Sequence, residues 1–174
     1  MLRAPTAFED VAKTVCTTNC GWENTKRMCV DMCALEGGAF PLPETILRYS
    51  ERMLARKVPL GYRARTIRTI AKLTAEDKLP LDDWAAQGDF TSIEQTVKAV
   101  WGIGPYSLRH IMVLLGKFDY IPVDSEILRY LRNTHFKGRE VSESEAVRPY
   151  DRYGHMKYLA FKFGRMARRQ NYIN

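Results

Sequence analysis

Cysteine is absent after residue 33 of this 174-residue chain. The four before that point, Cys16, Cys20, Cys29 and Cys33, form two pairs spaced i, i+4, which makes same-face neighbours on a helix. Zinc sites draw tighter cysteine pairs from turns, so this spacing predicts buried small hydrophobes or free thiols and no metal. No apolar run approaches the roughly 18 residues of a membrane-spanning helix, so no membrane partner is expected. The opening Met1-Leu2-Arg3-Ala4-Pro5 lacks the apolar core of a signal peptide. Low-complexity tracts, internal repeats and convincing period-2 strands are missing as well. Together these absences predict a soluble intracellular protein without disulfides. Acidic residues are lacking from 152–174, where Arg152, Lys157, Lys162, Arg165, Arg168 and Arg169 stand unopposed.

What is present reads as helix. Hydrophobic residues make up 45% of the chain, ordinary for a globular protein, and the length allows one compact unit or two small lobes with a real core. Thr6 to Glu9 has the form of a capping box, leading into Phe8, Val11, Ala12, Val15 and Cys16 on one face. Asn24 is the expected cap of a helix bearing Met28, Met32 and Leu35, ended by Gly37-Gly38. Pro43 and Glu44 open a helix through Ile46, Leu47, Met53 and Leu54, and Ile67, Ile70, Ala71 and Leu73 mark another. Ser142 to Glu145 is a further capping box, and a last helix runs through Met156, Leu159 and Phe163.

The most informative stretch is 100–124. Thr91 and Glu94 frame a capping box, and Ile93, Val97 and Val100 give the helix that follows an apolar face. Gly102 and Gly104 break it on either side of Ile103. Pro105 then sits at a first helical position, its φ already suitable and with no N–H to lose. Leu108, Ile111, Met112 and Leu115 continue at helical spacing until Gly116. The pattern predicts a helix–hairpin–helix over 91–116 whose second helix presents backbone amides at its N-terminus, where a phosphate fits. Asp124 follows in Pro122-Val123-Asp124, at the head of a helix through Ile127, Leu128 and Leu131. It is placed either as that helix's cap or as a working carboxylate. The charge is consistent with a nucleic-acid partner: residues 1–100 hold 14 Lys/Arg against 13 Asp/Glu, and residues 101–174 hold 13 against 7. A solvated helix face with a basic tail explains the same surplus.

The segment from Thr91 to Leu131 resembles the helix-hairpin-helix plus Gly/Pro-Asp motif (HhH-GPD) of the DNA glycosylase superfamily. Weaker likenesses flank it. Phe8 to Asn19 resembles the first core helix and a duplex-probing loop. Leu60-Gly61-Tyr62-Arg63-Ala64 resembles a segment of the 8-oxoguanine and 3-methyladenine branches, and Tyr153-Gly154-His155 with Tyr158-Leu159-Ala160 their closing helix. The resemblance implies an all-α, two-lobed fold, with one lobe from about 1–22 plus 136–174 and the other from about 23–135. It places DNA across the cleft between the lobes. It also implies base-excision repair by hydrolysis of the N-glycosidic bond of a damaged or mismatched base in double-stranded DNA, by a monomer located with the DNA. The N-terminal β-rich domain of the 8-oxoguanine and alkyl-base branches has no counterpart, so a minimal form or a truncation is expected. The absence of late cysteines rules out the C-terminal iron–sulfur cluster of endonuclease-III-like relatives, and no cofactor is expected.

Residue by residue, the resemblance carries the catalytic role onto Asp124, where an ionised carboxylate would stabilise positive charge on the sugar and orient water. Relatives that also cut the strand carry a lysine two residues after the second hairpin glycine, and its amine forms an imine with the sugar. Here that position is Tyr106, so the implied activity is monofunctional, with Tyr106 lining the base pocket or packing behind the hairpin. Lys98 and Lys117 are the nearest lysines for a displaced lyase function. Asn19 is expected to fill the gap left by a flipped base or to meet its partner. Gly102, Ile103, Gly104 and Ser107 form the DNA-binding hairpin, and main-chain carbonyls of Lys98, Val100 and Ile103 are placed to hold a monovalent cation. Trp22 and Trp101 are expected in the core, with stacking on bases as the alternative, Tyr62 and Arg63 read mainly as structural, and His110 as packing or a phosphate contact. Glu126 stands where some 8-oxoguanine enzymes have a histidine. Alkylated purines, 8-oxoguanine and mismatched uracil or thymine all stay open as substrates, as do a non-catalytic DNA-binding module and a bifunctional glycosylase/lyase.

Overall fold

The computed structural model describes residues 3–170, apart from the side chains of Arg169 and Gln170. The Met1-Leu2 start and the Arg169 charge counted above therefore lie outside the described residues. In chain order the helices are α1 (Ala7–Cys16), α2 (Trp22–Ala34), α3 (Pro43–Leu47), α4 (Glu51–Lys57), α5 (Arg63–Ala75) and α6 (Leu81–Gln87). These are followed by α7 (Phe90–Lys98), α8 (Pro105–Leu114), α9 (Ser125–Phe136), α10 (Glu143–Val147), a 3-10 segment (Arg148–Met156) and α11 (Lys157–Gln170). Among the described residues there is no strand, only an isolated antiparallel bridge between Glu36 and Ala39. The expected all-α class is the observed one. The chain divides into two compact units between Leu115 and Gly116.

In the first unit, α1 packs on α5 and α8, α3 and α4 pack on α5, and α7 packs on α6 and α8. Phe8, Val11, Ala12, Val15 and Cys16 form the buried face of α1, as their spacing predicts. Of these, Phe8, Val11 and Val15 each contribute about 1.5–3 kcal/mol. Thr6 caps α1 by accepting the Glu9 N–H at 3.2 Å. The Glu9 carboxylate turns away to Lys13, so only half of the expected box forms. The start of α1 is completed by a group 75 residues distant: both carboxylate oxygens of Asp82 accept the Ala7 N–H, at 3.1 and 3.2 Å. An anion there complements the positive end of the helix.

Four helix starts depart from the sequence expectation. Helix α2 begins at Trp22 with Gly21 as its cap, ahead of Asn24. The helix expected through 43–54 is two, because the Ser50 hydroxyl accepts the Met53 N–H at 3.2 Å and starts α4 afresh. Helix α7 is capped by Asp89, which accepts the Ser92 N–H at 3.1 Å, and not by Thr91. Helix α6 is an addition; its Asp82-Asp83 start has no apolar periodicity to advertise it.

In the second unit, α10 packs on α9 and the 3-10 segment packs on α10 and α11. The Ser142–Glu145 capping box is complete. Tyr130, Tyr150 and Tyr158 surround the buried Phe161 with ring centroids at 6.1, 5.8 and 6.3 Å. Gly154 breaks the 3-10 segment with φ 51° and ψ −126°, a conformation open to glycine at little cost. Because of that break Met156 ends the 3-10 segment, and α11 starts at Lys157.

Candidate nucleic-acid interface and catalytic carboxylate

The hairpin runs from the end of α7 to the start of α8. The Ile103 N–H donates to the Val100 carbonyl at 3.2 Å, closing a turn that Gly102 completes at φ 87°. A side chain at Gly102 is excluded twice over. The backbone is left-handed, and an added Cβ would lie 2.3 Å from the Thr66 hydroxyl oxygen. That hydroxyl, almost fully buried, donates to the Trp101 carbonyl at 2.9 Å and so ties the hairpin to α5. Gly104 caps α8 in extended conformation, φ −92° and ψ 176°, and has no heavy atom within 4 Å of a notional Cβ. Open space there lets a ligand approach the backbone where α8 begins at Pro105. Ser107 is buried as a whole residue. Of the three carbonyls expected to face a cation, that of Val100 is already the acceptor for Ile103.

Tyr106 is half-buried in the first turn of α8, its ring 5.8 Å from that of His110 one turn on. Lys98, the last residue of α7, is exposed, and Lys117 belongs to the second unit with its ammonium 5.8 Å from the Tyr120 ring. Both tryptophans expected in the core are instead exposed, Trp22 because it opens α2 and Trp101 because it stands in the hairpin turn. Trp101 is flanked by the start of α5: the ring of Tyr62, the residue before the helix, stands perpendicular to it at 6.1 Å, and the Arg65 guanidinium lies 4.9 Å from its ring.

Asn19 follows α1 with φ 47°, a left-handed conformation that asparagine tolerates. Its Nδ2 donates to the Tyr62 hydroxyl at 3.1 Å, and Thr18 meets the same hydroxyl at 3.2 Å. Arg63, buried beneath, donates to the carbonyls of Thr18 and Leu60 and to the Thr18 hydroxyl. The loop is thus held from below by a guanidinium and from the side by a phenol. Arg63 is structural, as its position in the sequence suggests, whereas Tyr62 is 42% exposed and shares the surface with Asn19. The exposed Gly-Tyr-Arg aromatic beside a polar loop is the feature sequence reasoning missed. The long-range contact between residues 19 and 62 leaves no local signal.

Asp124 is in the second unit as the N-cap of α9. Its Oδ1 accepts the Ile127 N–H at 2.7 Å, and its carbonyl accepts the Leu128 N–H at 2.8 Å. The Ile121 and Val123 side chains before it are buried and anchor the approach, while Asp124 itself is exposed. Oδ2 takes part in no hydrogen bond among the described residues, so one oxygen orients the carboxylate and the other is unengaged. The next acid, Glu126, pairs with Arg165 of α11.

The four cysteines are all free. Cys20 lies past the end of α1, so its i, i+4 relation to Cys16 is a turn, with its thiol on the Cys16 carbonyl at 3.1 Å. The thiols of Cys16 and Cys29 interact; this holds Cys29 below the ordinary thiol range and, with burial, pushes Cys16 far above it. Among the described residues no group of three or more His, Cys, Asp or Glu is arranged to hold a metal ion. No helix of the described residues is long and apolar enough to cross a membrane.

No family model and no curated protein matches the sequence. Solved structures do match the fold. The 8-oxoguanine glycosylase/lyase of Clostridium acetobutylicum, in complex with double-stranded DNA containing cytosine opposite to 8-oxoguanine, superposes with TM-score 0.78 at 18% identity over 98% of this chain and 61% of that one. MBOgg1 in complex with a low-affinity DNA ligand gives TM-score 0.74 at 20% identity, over 89% of this chain and 57% of that one. The 3-methyladenine DNA glycosylase (Mag1) of the fission yeast Schizosaccharomyces pombe, in complex with abasic DNA, gives 0.68 at 15% identity over 91% and 82%. The chain therefore shares the helical fold of these solved structures, and it spans about three fifths of the 8-oxoguanine glycosylase chains it matches.

Proposed function

We propose that this protein is a DNA N-glycosylase that hydrolyses the bond between sugar and a damaged or mismatched base in duplex DNA. The observation that carries the reading is Asp124, a carboxylate on the glycosylase fold with one oxygen fixed by the Ile127 amide and the other unengaged. An ionised carboxylate so oriented stabilises an oxocarbenium-like sugar and positions the attacking water. The Gly102–Gly104 hairpin presents open backbone to a phosphate, and the Asn19–Tyr62 pair offers a polar tip and a ring to the duplex where a base has been flipped out.

Tyr106 supports a monofunctional enzyme, since a phenol forms no imine with the opened sugar. Base loss should therefore leave an intact strand with an abasic site. Incubating the protein with lesion-bearing duplexes, with and without alkali, tests both points. Breaks only after alkali support hydrolysis alone, breaks without alkali indicate a displaced lysine, and no base release with binding retained would leave Asp124 as a helix cap only.

A further inference from the structure

The second unit contains a pocket that the glycosylase reading does not use. It has a volume of about 350 Å³ between α9, the 3-10 segment and α11, and Tyr130, His135, Tyr150, Arg152, Tyr153 and Arg168 line it. That volume falls within the range of small-molecule sites, roughly 300–1,000 Å³. We propose that it binds a nucleotide unit, with the phosphate on Arg152 and Arg168 and the base against the Tyr153 ring.

The charge of the lining argues for an anion. Two guanidiniums line the pocket and no Asp or Glu does. The adjacent acid, Asp151, is paired with Lys157 at 2.6 Å and does not neutralise them. Both arginines act on the same imidazole: burial, then Arg168 and Arg152, hold His135 below its usual range. An uncompensated pair of arginines next to a neutral imidazole is a binding site for a planar or tetrahedral oxyanion, which the guanidinium fork meets with two parallel hydrogen bonds.

The rings argue for a base on that anion. Tyr153 is exposed, its ring 6.3 Å from that of Tyr150, and Arg152 lies over it at 4.9 Å while donating to its hydroxyl at 2.9 Å. Tyr153, partly exposed with Arg152 over its ring, gives a base an aromatic edge and a guanidinium plane to pack against. Tyr150 is fixed by a 3.0 Å hydrogen bond between its hydroxyl and His135 Nε2. Tyr130 adds a third ring to the lining, its hydroxyl buried and closed to solvent. A ligand that offers a planar ring beyond its phosphate fits such a wall better than phosphate alone.

The nucleotide has two sources, a free mononucleotide or the single-stranded end of a DNA strand. Neither depends on Asp124 chemistry, so success or failure here is independent of base excision. The full chain is titrated calorimetrically with deoxyguanosine monophosphate, deoxyguanosine and inorganic phosphate. Fluorescence anisotropy then compares a blunt duplex with one carrying a short 5′-phosphorylated overhang. Each titration is repeated on Arg168→Gln and Tyr153→Ala, both changes of exposed side chains. The expected result is mononucleotide binding that exceeds that of phosphate or nucleoside by about tenfold and falls by about tenfold in each variant. An overhang preference over the blunt duplex that both variants abolish supports the same pocket and assigns the source to a DNA strand. Binding of neither probe, or binding indifferent to both variants, overturns the proposal.

Discussion

Replacing Gly102 by alanine tests the hairpin geometry apart from any chemistry. The φ of 87° costs a residue with a Cβ about 1–3 kcal/mol. The new methyl would also stand 2.3 Å from the Thr66 hydroxyl oxygen, so the Thr66–Trp101 hydrogen bond must break or the hairpin must move. Losing that bond adds about 0.5–1.5 kcal/mol. Gly102→Ala is therefore expected to destabilise the chain by about 2–4 kcal/mol in urea unfolding, whereas Gly104→Ala, with φ −92° and open space, changes it by less than about 0.5 kcal/mol. A double-mutant cycle isolates the clash. Thr66→Ala removes the oxygen that the methyl meets, so the double variant should be more stable than the sum of the two single losses by about 1 kcal/mol or more. Gly104→Ala should still weaken duplex binding several-fold, because its methyl occupies the space a phosphate needs. Equal stability of the Gly102 and Gly104 variants, or strict additivity with Thr66→Ala, would refute the geometry.

Asp124 separates its two roles by substitution: Asp124→Asn keeps a capping oxygen and should leave stability within about 0.5 kcal/mol, while Asp124→Ala should lose about 1 kcal/mol in thermal or urea unfolding. Borohydride trapping on lesion duplexes should give no covalent adduct with the wild-type chain, since Tyr106 has no amine; an adduct mapped by mass spectrometry to Lys98 or Lys117 would overturn the monofunctional reading. Cys29, held below the ordinary thiol range by the Cys16 thiol with help from Lys13, should be alkylated at lower pH than a free cysteine, because its thiolate fraction rises earlier as pH increases. Cys16, pushed far up and buried, should stay unmodified in the same pH series until the protein unfolds.

Much of the hairpin was legible because its signals are local. Gly102, Gly104 and Pro105 punctuate two apolar periodicities, and Pro122-Val123-Asp124 announces the helix that follows. The Ser142–Glu145 box was readable for the same reason. What sequence reasoning missed depends on distant partners. Asp82 completes the start of α1 across 75 residues, and Tyr62 reaches Asn19 across 43. Trp101 was expected in the core on the general habit of tryptophan; its place in a turn, flanked by Tyr62 and Arg65, leaves it on the surface. Capping residues competed at close spacing: Asp89 outdid Thr91 and Ser50 split a helix, since a side-chain oxygen beside the first orphan amides prevails over a continuing apolar pattern.

The measurement that reaches the central claim most directly compares wild type and Asp124→Asn on duplexes carrying 3-methyladenine-type, 8-oxoguanine, uracil and thymine-mismatch lesions, each read with and without alkali. The account predicts alkali-dependent breaks at one class of lesion, slowed about 100-fold or more in the folded, DNA-binding variant. Base release that persists undiminished in Asp124→Asn, or no release from any duplex by the wild-type chain, would contradict it.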